Sequence, residues 1–134
     1  MPERQKILLV EDDQADAGVL LRLLGESSGA DYGLVHKETL GDACLHVGEE
    51  RVAAILLDIT LPDSTGVDTV RTMITAAGPE IPIIVLTGGS DPTVPIDCIE
   101  AGAQDYLRKD ELDGGSLRRA VRFGVGRLRA GRFR

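Results

Sequence analysis

The chain has 134 residues, 43% of them hydrophobic and 28% charged, which suits one globular domain with a real core. No apolar run approaches the roughly 20 residues of a membrane helix, and the N-terminus lacks the apolar segment of a signal peptide, so a cytoplasmic protein is predicted. The net charge of −7 is uneven, because residues 114–134 contain seven arginines and no acid; with so few aromatics, a solvated helix face explains them better than nucleic-acid binding.

Five short runs rich in branched aliphatic residues predict β-strands. They cover residues 6–10, 33–37, 53–58, 81–87 and 105–109. The first, third and fourth runs are apolar on both faces, which predicts central strands of a parallel sheet with helices on both sides.

The segments between the strands have apolar residues at spacings of three and four, which predicts amphipathic helices. The first helix, over residues 14–26, would bury Ala15, Val19, Leu20, Leu23 and Leu24. The second and third are predicted over 39–48, with Thr39 as the cap, and over 66–77, ending at Gly78. The last is predicted over 115–130, with Leu117, Val121, Val125 and Leu128 facing inward.

The fourth helix is harder to place, because Pro92 and Pro95 lie three residues apart. Pro92 is acceptable in a first turn, whereas Pro95 would then lack a needed N–H. We therefore predict that this helix begins near Pro95 and that residues 88–94 form a loop. The alternation of five strands with helices predicts right-handed crossovers and an open doubly wound α/β domain over residues 1–134.

Polar residues follow the central strands at their carboxyl ends, where ligands of such sheets bind. These residues are Glu11, Asp12, Asp13, Asp58, Thr87 and Lys109. Gathered carboxylates need a counter-ion, and Mg²⁺ suits a few carboxylates together with a phosphate. Asp58 held at a strand tip is predicted to attack phosphorus as a nucleophile, with Lys109 and Thr87 stabilising the phosphoryl oxygens. Neither His36 nor His46 has a partner at ligand spacing, and neither is predicted to be functional.

Four segments resemble the receiver domain of two-component response regulators: "ILLVEDD", "LLDITLPDSTG", "VLTG" and "AGAQDYLRKDEL". The resemblance runs from about residue 5 to 125, with residues 126–134 as a basic extension of the last helix. It implies a flavodoxin-like sheet with strand order 2-1-3-4-5 and five helices on both faces. It also implies a phosphoacceptor signalling domain rather than an enzyme.

The resemblance implies a role for each acidic residue. Asp58 corresponds to the phosphoacceptor and is also expected to contact Mg²⁺, for which Mn²⁺ could substitute. Asp12 would bind the ion directly, Glu11 through water, and Thr60 through its backbone carbonyl. Asp13 lies beside the acidic pair and is expected to start the first helix instead.

The resemblance further implies a conformational switch. Thr87 would move toward the phosphoryl group, Tyr106 would turn inward with it, and Lys109 would pair with the phosphoryl oxygens. The expected donor is a histidine kinase or a histidine phosphotransfer protein. The expected output is a downstream protein or a following domain that binds the face of the fourth helix, fifth strand and fifth helix. A homodimer is left open, and neither a membrane nor a nucleic acid is an expected partner.

Three departures from the family pattern carry expectations of their own. Asp110 replaces the proline that often follows the lysine, which leaves a cis peptide between Lys109 and Asp110 open. The two prolines predict an irregular start to the fourth helix. Gly88 and Gly89 leave the roof of the site open, so we expect an acyl phosphate that is not unusually long-lived.

Several alternatives remain at this point. The chain could be a receiver fragment of a larger hybrid sensor or signalling protein. An aspartate-nucleophile phosphatase of the haloacid dehalogenase type is disfavoured. That class has a second acid two residues after the nucleophile, where this chain has Thr60, and it usually has a cap domain, for which this chain has no room. A degenerate receiver used only for binding is disfavoured by the intact set of polar residues. A nucleic-acid binder that relies on the basic tail is the weakest reading.

Overall fold

The computed structural model describes residues 5–28, 32–89 and 91–131, and its centre is one parallel sheet. The strands are β1 (Gln5–Val10), β2 (Tyr32–Lys37), β3 (Ala54–Asp58), β4 (Ile83–Thr87) and β5 (Asp105–Arg108). They lie in the order β2-β1-β3-β4-β5, with every neighbouring pair parallel. The predicted strand order is therefore confirmed.

Five helices cover the two faces of the sheet. They are α1 (Gln14–Ser28), α2 (Leu40–Glu49), α3 (Val67–Ala77), α4 (Thr93–Ala101) and α5 (Gly114–Gly131). One core cluster joins α1 and α5 to alternate residues of the central strands, and the second joins α2, α3 and α4 to the remaining ones. Apart from the first two residues of β1, the residues of β1, β3 and β4 are buried, which confirms these three as the central strands.

The second and third helices begin and end within one residue of the predicted positions. Thr39 caps α2, because its side chain accepts a hydrogen bond of 3.1 Å from the backbone N–H of Asp42. Gly78 ends α3 with a φ of 89°, a left-handed conformation that glycine adopts at little cost.

The predicted start of the fourth helix is wrong by two residues. Helix α4 begins at Thr93 and not near Pro95, and Pro92 precedes it as the cap residue. Pro95 is thus the third helical residue, whose N–H would have no partner within the helix in any case. The first turn consequently accepts this proline, and the helix runs regularly from Thr93 to Ala101.

The predicted buried face of the first helix is only partly correct. Ala17, Leu20 and Leu24 are buried, whereas Ala15 is exposed and Val19 is 45% exposed. The face at positions 17, 20 and 24 is buried against the sheet, and Ala15 and Val19 lie on the opposite side of the helix. In α5, Leu117, Val121 and Val125 are buried as predicted, and the side chain of Leu128 lies outside the described part.

Two local features complete the edge of the sheet that carries the site. A small antiparallel hairpin pairs Thr60–Leu61 with Ser64–Thr65 directly after β3. Residues Lys109–Glu111 form a 3-10 turn after β5, and the Lys109–Asp110 peptide is trans, so the cis alternative is wrong. Among the described residues, no helix has both the length and the apolar character needed to cross a membrane.

Candidate functional site

The strand register brings the predicted polar residues to one edge of the sheet. Val10 pairs with Leu57, so the next residues along the two strands, Glu11 and Asp58, lie side by side. Asp58 in turn pairs with Leu86, which is the residue before Thr87. Parallel strands end at the same edge, so the residues that follow β1, β3 and β4 meet there.

Lys109 is the centre of this arrangement. Its Nζ donates hydrogen bonds of 3.1 Å to Oδ2 of Asp58 and 3.1 Å to Oδ2 of Asp16, and it lies 2.5 Å from Oε1 of Glu11. The lysine side chain is 18% exposed, whereas those of Glu11 and Asp58 are 0% and 4% exposed. One ammonium therefore faces three carboxylates, two of them buried.

Burial and neighbouring charge change the acidity of this group of residues. Burial, together with a hydrogen bond to Asp58, raises the pKa of Glu11 from 4.5 to about 8, against the opposing effect of Lys109. Burial would lower the pKa of Lys109, but Glu11, Asp58 and Asp16 outweigh it and raise that pKa above its usual value. The lysine is therefore a permanent cation, and Glu11 holds its proton to a higher pH than a free carboxyl group does until more positive charge enters.

The carboxylates have the features of a cation site. Glu11, Asp12 and Asp58 each offer an oxygen, and these oxygens all lie within 4.8 Å of one another. Oε1 of Glu11 is buried, and the ammonium of Lys109 lies 2.5 Å from it. One ammonium does not neutralise all of these carboxylates, and a hard divalent cation such as Mg²⁺ or Mn²⁺ is the partner that oxygen ligands favour.

The loop after Asp58 is fixed by its own hydrogen bonds. Oδ1 of Asp58 accepts a bond of 3.0 Å from the backbone N–H of Thr60, the first residue of the hairpin. At the tip of the loop, Asp63 accepts bonds of 3.0 and 2.9 Å from the N–H groups of Leu40 and Gly41, the first two residues of α2. These backbone bonds lower the pKa of Asp63. The carboxylate of Asp58 is thus held in a fixed orientation.

The predicted switch residues lie on β4 and β5. Thr87 is buried, and its Oγ1 accepts a bond of 3.3 Å from the N–H of Gly89. Gly88 and Gly89 are both exposed, which agrees with the open roof predicted for this side of the site. Tyr106 is 41% exposed, so its ring lies outward in this structure.

Sequence reasoning missed three supporting contacts. Asp16 binds Lys109, and it could have been suggested by its place in the first helical turn after an acidic strand end. His36 places Nε2 2.7 Å from the backbone carbonyl of Glu11, and Asp63 caps α2; no sequence spacing indicates either contact. Asp13 directly precedes α1 and caps it, because its Oδ1 accepts a bond of 3.0 Å from the N–H of Asp16.

Comparisons with known proteins point in one direction. Residues 7–122 match the family described as the response regulator receiver domain. The chain is 32% identical over 124 residues to the KDP operon transcriptional regulatory protein KdpE of Escherichia coli, covering 92% of this chain and 48% of KdpE. It is 34% identical over 105 residues to the cell cycle transcriptional regulator CtrA of Caulobacter vibrioides, covering 78% of this chain and 43% of CtrA. The chain thus spans about half the length of the curated relatives it matches.

Solved structures agree with the sequence comparisons. One is the receiver domain of the sensor histidine kinase PA1611 of Pseudomonas aeruginosa, with magnesium coordinated in its active-site cleft. It is 29% identical to this chain, covers 92% of it and 99% of its own length, and superposes with a TM-score of 0.79. Another is the signal receiver domain of an HD domain-containing protein of Pseudomonas fluorescens, at 25% identity, 100% and 96% coverage and a TM-score of 0.85.

Proposed function

The chain belongs to the response regulator receiver domain family, and from that premise we propose that it accepts a phosphoryl group on Asp58. The donor is a phosphohistidine, carried by a histidine kinase or a histidine phosphotransfer protein. An oxygen of Asp58 attacks phosphorus, the bond from phosphorus to the imidazole nitrogen breaks, and that nitrogen keeps the electron pair. The product is an acyl phosphate on the domain, so the chain acts as a phosphoacceptor in signalling rather than as an enzyme with a separate substrate.

The observation that supports this proposal best is the surroundings of Asp58. Its side chain is 4% exposed, its Oδ1 is fixed by the N–H of Thr60, and its Oδ2 accepts from Lys109. A carboxylate fixed at a strand end beside a permanent cation is oriented for attack. Lys109 would then donate to the phosphoryl oxygens as negative charge collects on them.

We further propose that the carboxylate cluster holds Mg²⁺. Asp12 and Asp58 would bind it directly, Glu11 through water and Thr60 through its backbone carbonyl, and Mn²⁺ could substitute. The closeness of the three carboxylates, of which Glu11 and Asp58 are buried, supports this assignment. When bound, the ion supplies positive charge that neutralises the carboxylates and the incoming phosphoryl oxygens.

The proposed output is a shift between two conformations. Thr87 would approach the phosphoryl group, and Tyr106, now 41% exposed, would turn inward. The surface of α4, β5 and α5 would change as a result and bind a partner or a following domain. Ile96 and Ile99 on α4 and Phe123 on α5 are exposed apolar residues that support this choice of surface.

The decisive experiment incubates the protein with Mg²⁺ and a small phosphoramidate and then measures its intact mass. Wild type should gain one phosphoryl group, and Asp58→Asn should gain none. Asp63→Asn is the matched control, because it alters a neighbouring carboxylate of the same loop and should still be labelled. Equal labelling of wild type and Asp58→Asn would remove the proposal.

The open roof leads to a proposal about lifetime. Because Gly88 and Gly89 are exposed, water can reach the acyl phosphate, and the phosphorylated form should decay without an unusually long life. The mass measurement repeated over time after removal of the phosphoramidate gives the decay rate. Persistence of the phosphoryl group for many hours would contradict this expectation.

We also propose a cytoplasmic location. The alternative that this receiver is one part of a longer protein is supported by the two transcriptional regulators, of which the matched regions make up 48% and 43%. The intact mass of the native gene product would decide between a single-domain regulator and this alternative.

A further inference from the structure

Asp16 differs from the other two carboxylates that contact Lys109. Glu11 and Asp58 both belong to the carboxylate cluster proposed to hold Mg²⁺, whereas Asp16 does not. We propose that Asp16 is a positioning residue that keeps the ammonium of Lys109 at the mouth of the site during phosphotransfer. This inference rests on the function proposed for Asp58.

The geometry gives Lys109 three acidic neighbours in three directions. An ammonium has three N–H donors, and here two of them bond to Asp16 and Asp58 while Oε1 of Glu11 lies 2.5 Å away. Glu11 and Asp58 follow or end strands at the floor of the site. Asp16 lies on the first turn of α1, and its side chain is 46% exposed. It therefore holds the lysine from the solvent side.

Charge explains why the third carboxylate matters. A divalent cation on Glu11, Asp12 and Asp58 would neutralise the same two carboxylates that attract Lys109 from below, and it would repel the ammonium. Phosphorylation would then convert the carboxylate of Asp58 into an acyl phosphate. Of the three acidic partners described for Lys109, Asp16 alone keeps its full attraction through both events.

A structural role for Asp16 must be separated from this one. Asp16 is the third residue of α1, and its backbone N–H bonds to the side chain of the cap residue Asp13. A carboxylate in the first turn also stabilises a helix through the dipole. Asp42 has the same place in α2: it is the third residue, and its N–H bonds to the cap residue Thr39. Asp42 forms none of the ion pairs described for Lys109.

Asp42→Asn is therefore the matched control for Asp16→Asn. Both variants remove one negative charge from the first turn of a helix and should lower the melting temperature by similar, small amounts. Only Asp16→Asn should slow phosphorylation by the small phosphoramidate at saturating Mg²⁺, by about tenfold, the order of one hydrogen bond to a charged group. Asp16→Glu, which retains the charge, should recover most of the rate.

Two further measurements test whether Asp16 acts through Lys109. Calorimetric titration should show Mg²⁺ binding weakened about threefold in Asp16→Asn, because the lysine then competes more strongly for Glu11 and Asp58. In a Lys109→Gln background, adding Asp16→Asn should change neither the phosphorylation rate nor the Mg²⁺ affinity further, as a double-mutant cycle requires of two coupled groups. Asp16→Ser provides a second neutral variant with a side chain suited to a first helical turn.

The outcomes separate this inference from the proposed function. If wild type gains no phosphoryl group, the proposed function fails, and this inference with it. If wild type is labelled and both neutral variants at position 16 react at its rate, the inference fails and the proposed function stands. A slowing of the same size in the Lys109→Gln background, or in Asp42→Asn, would also overturn it.

Discussion

Replacement of Glu11 by glutamine should make the metal-free protein less sensitive to pH. Glu11 is 0% exposed, and burial with its hydrogen bond to Asp58 raises its pKa from 4.5 to about 8. Between these two values the folded protein holds a proton that the unfolded chain has lost. The stabilisation from that proton is complete below pH 4.5 and is lost as the pH rises through about 8.

The size of the effect follows from the raised pKa of Glu11. One pKa unit corresponds to about 1.4 kcal/mol, so wild type should lose about 2–3 kcal/mol between about pH 5.5 and 7.5 through this group. For a domain of this length that is a fall in melting temperature of about 5–10 °C. Glutamine cannot ionise, so Glu11→Gln should lack this component.

The assay is thermal unfolding by circular dichroism in a chelator, at several pH values across that window. The quantity to compare is the difference in melting temperature between wild type and Glu11→Gln, because contributions that the two proteins share cancel in it. Glu49→Gln, an exposed carboxylate on α2, is the control and should follow wild type. A difference that stays constant with pH, or that changes in favour of wild type as the pH rises, would refute the reasoning.

Mg²⁺ at about a hundred times its Kd should add about 2.7 kcal/mol to the free energy of unfolding of wild type and much less to that of the variant.

Three other expectations follow from the structure. Gly102→Ala should lower the free energy of unfolding by about 2–3 kcal/mol, measured by urea denaturation, because the φ of 123° is unfavourable for alanine and its Cβ would lie 2.6 Å from Cδ1 of Ile74. Asp63→Ala should cost about 1 kcal/mol in the same assay, because two N–H groups of α2 lose their acceptor. In a Tyr32→Phe variant, quenching of tyrosine fluorescence by iodide reports on Tyr106, which is 41% exposed; phosphorylation should reduce the quenching, and unchanged quenching would argue against an inward turn of the ring.

The fold could be predicted from the sequence because its signals are local and repeated. The runs that became β3 and β4 are apolar on both faces, which leaves little choice but a covered parallel sheet. The same reasoning failed at Pro95, because the cost of a proline depends on the position at which the helix starts, and no local pattern marks that position. It failed at Val19 because the apolar residues of α1 spread around much of the helix, and only tertiary packing selects the face at Ala17.

The residues of the candidate site could be predicted from the sequence better than the contacts between them. The residues that follow the strand ends could be named, since parallel strands must bring them to one edge. The contact between Lys109 and Asp16 joins positions 93 residues apart, and no periodicity connects them. The contact of His36 with the carbonyl of Glu11 likewise depends on strand register rather than on residue type.

The bond from Asp63 to α2 makes the two walls of the site mechanically unequal. On one side, the loop after Asp58 is tied to a neighbouring helix and closed on itself by a hairpin. On the other side, the segment after Thr87 continues into two exposed glycines. Strain introduced at Asp58 would therefore relax by movement of the less constrained side, toward β4 and α4. A spectroscopic probe attached near Gly89 should consequently register phosphorylation, whereas the same probe near Asp63 should remain silent.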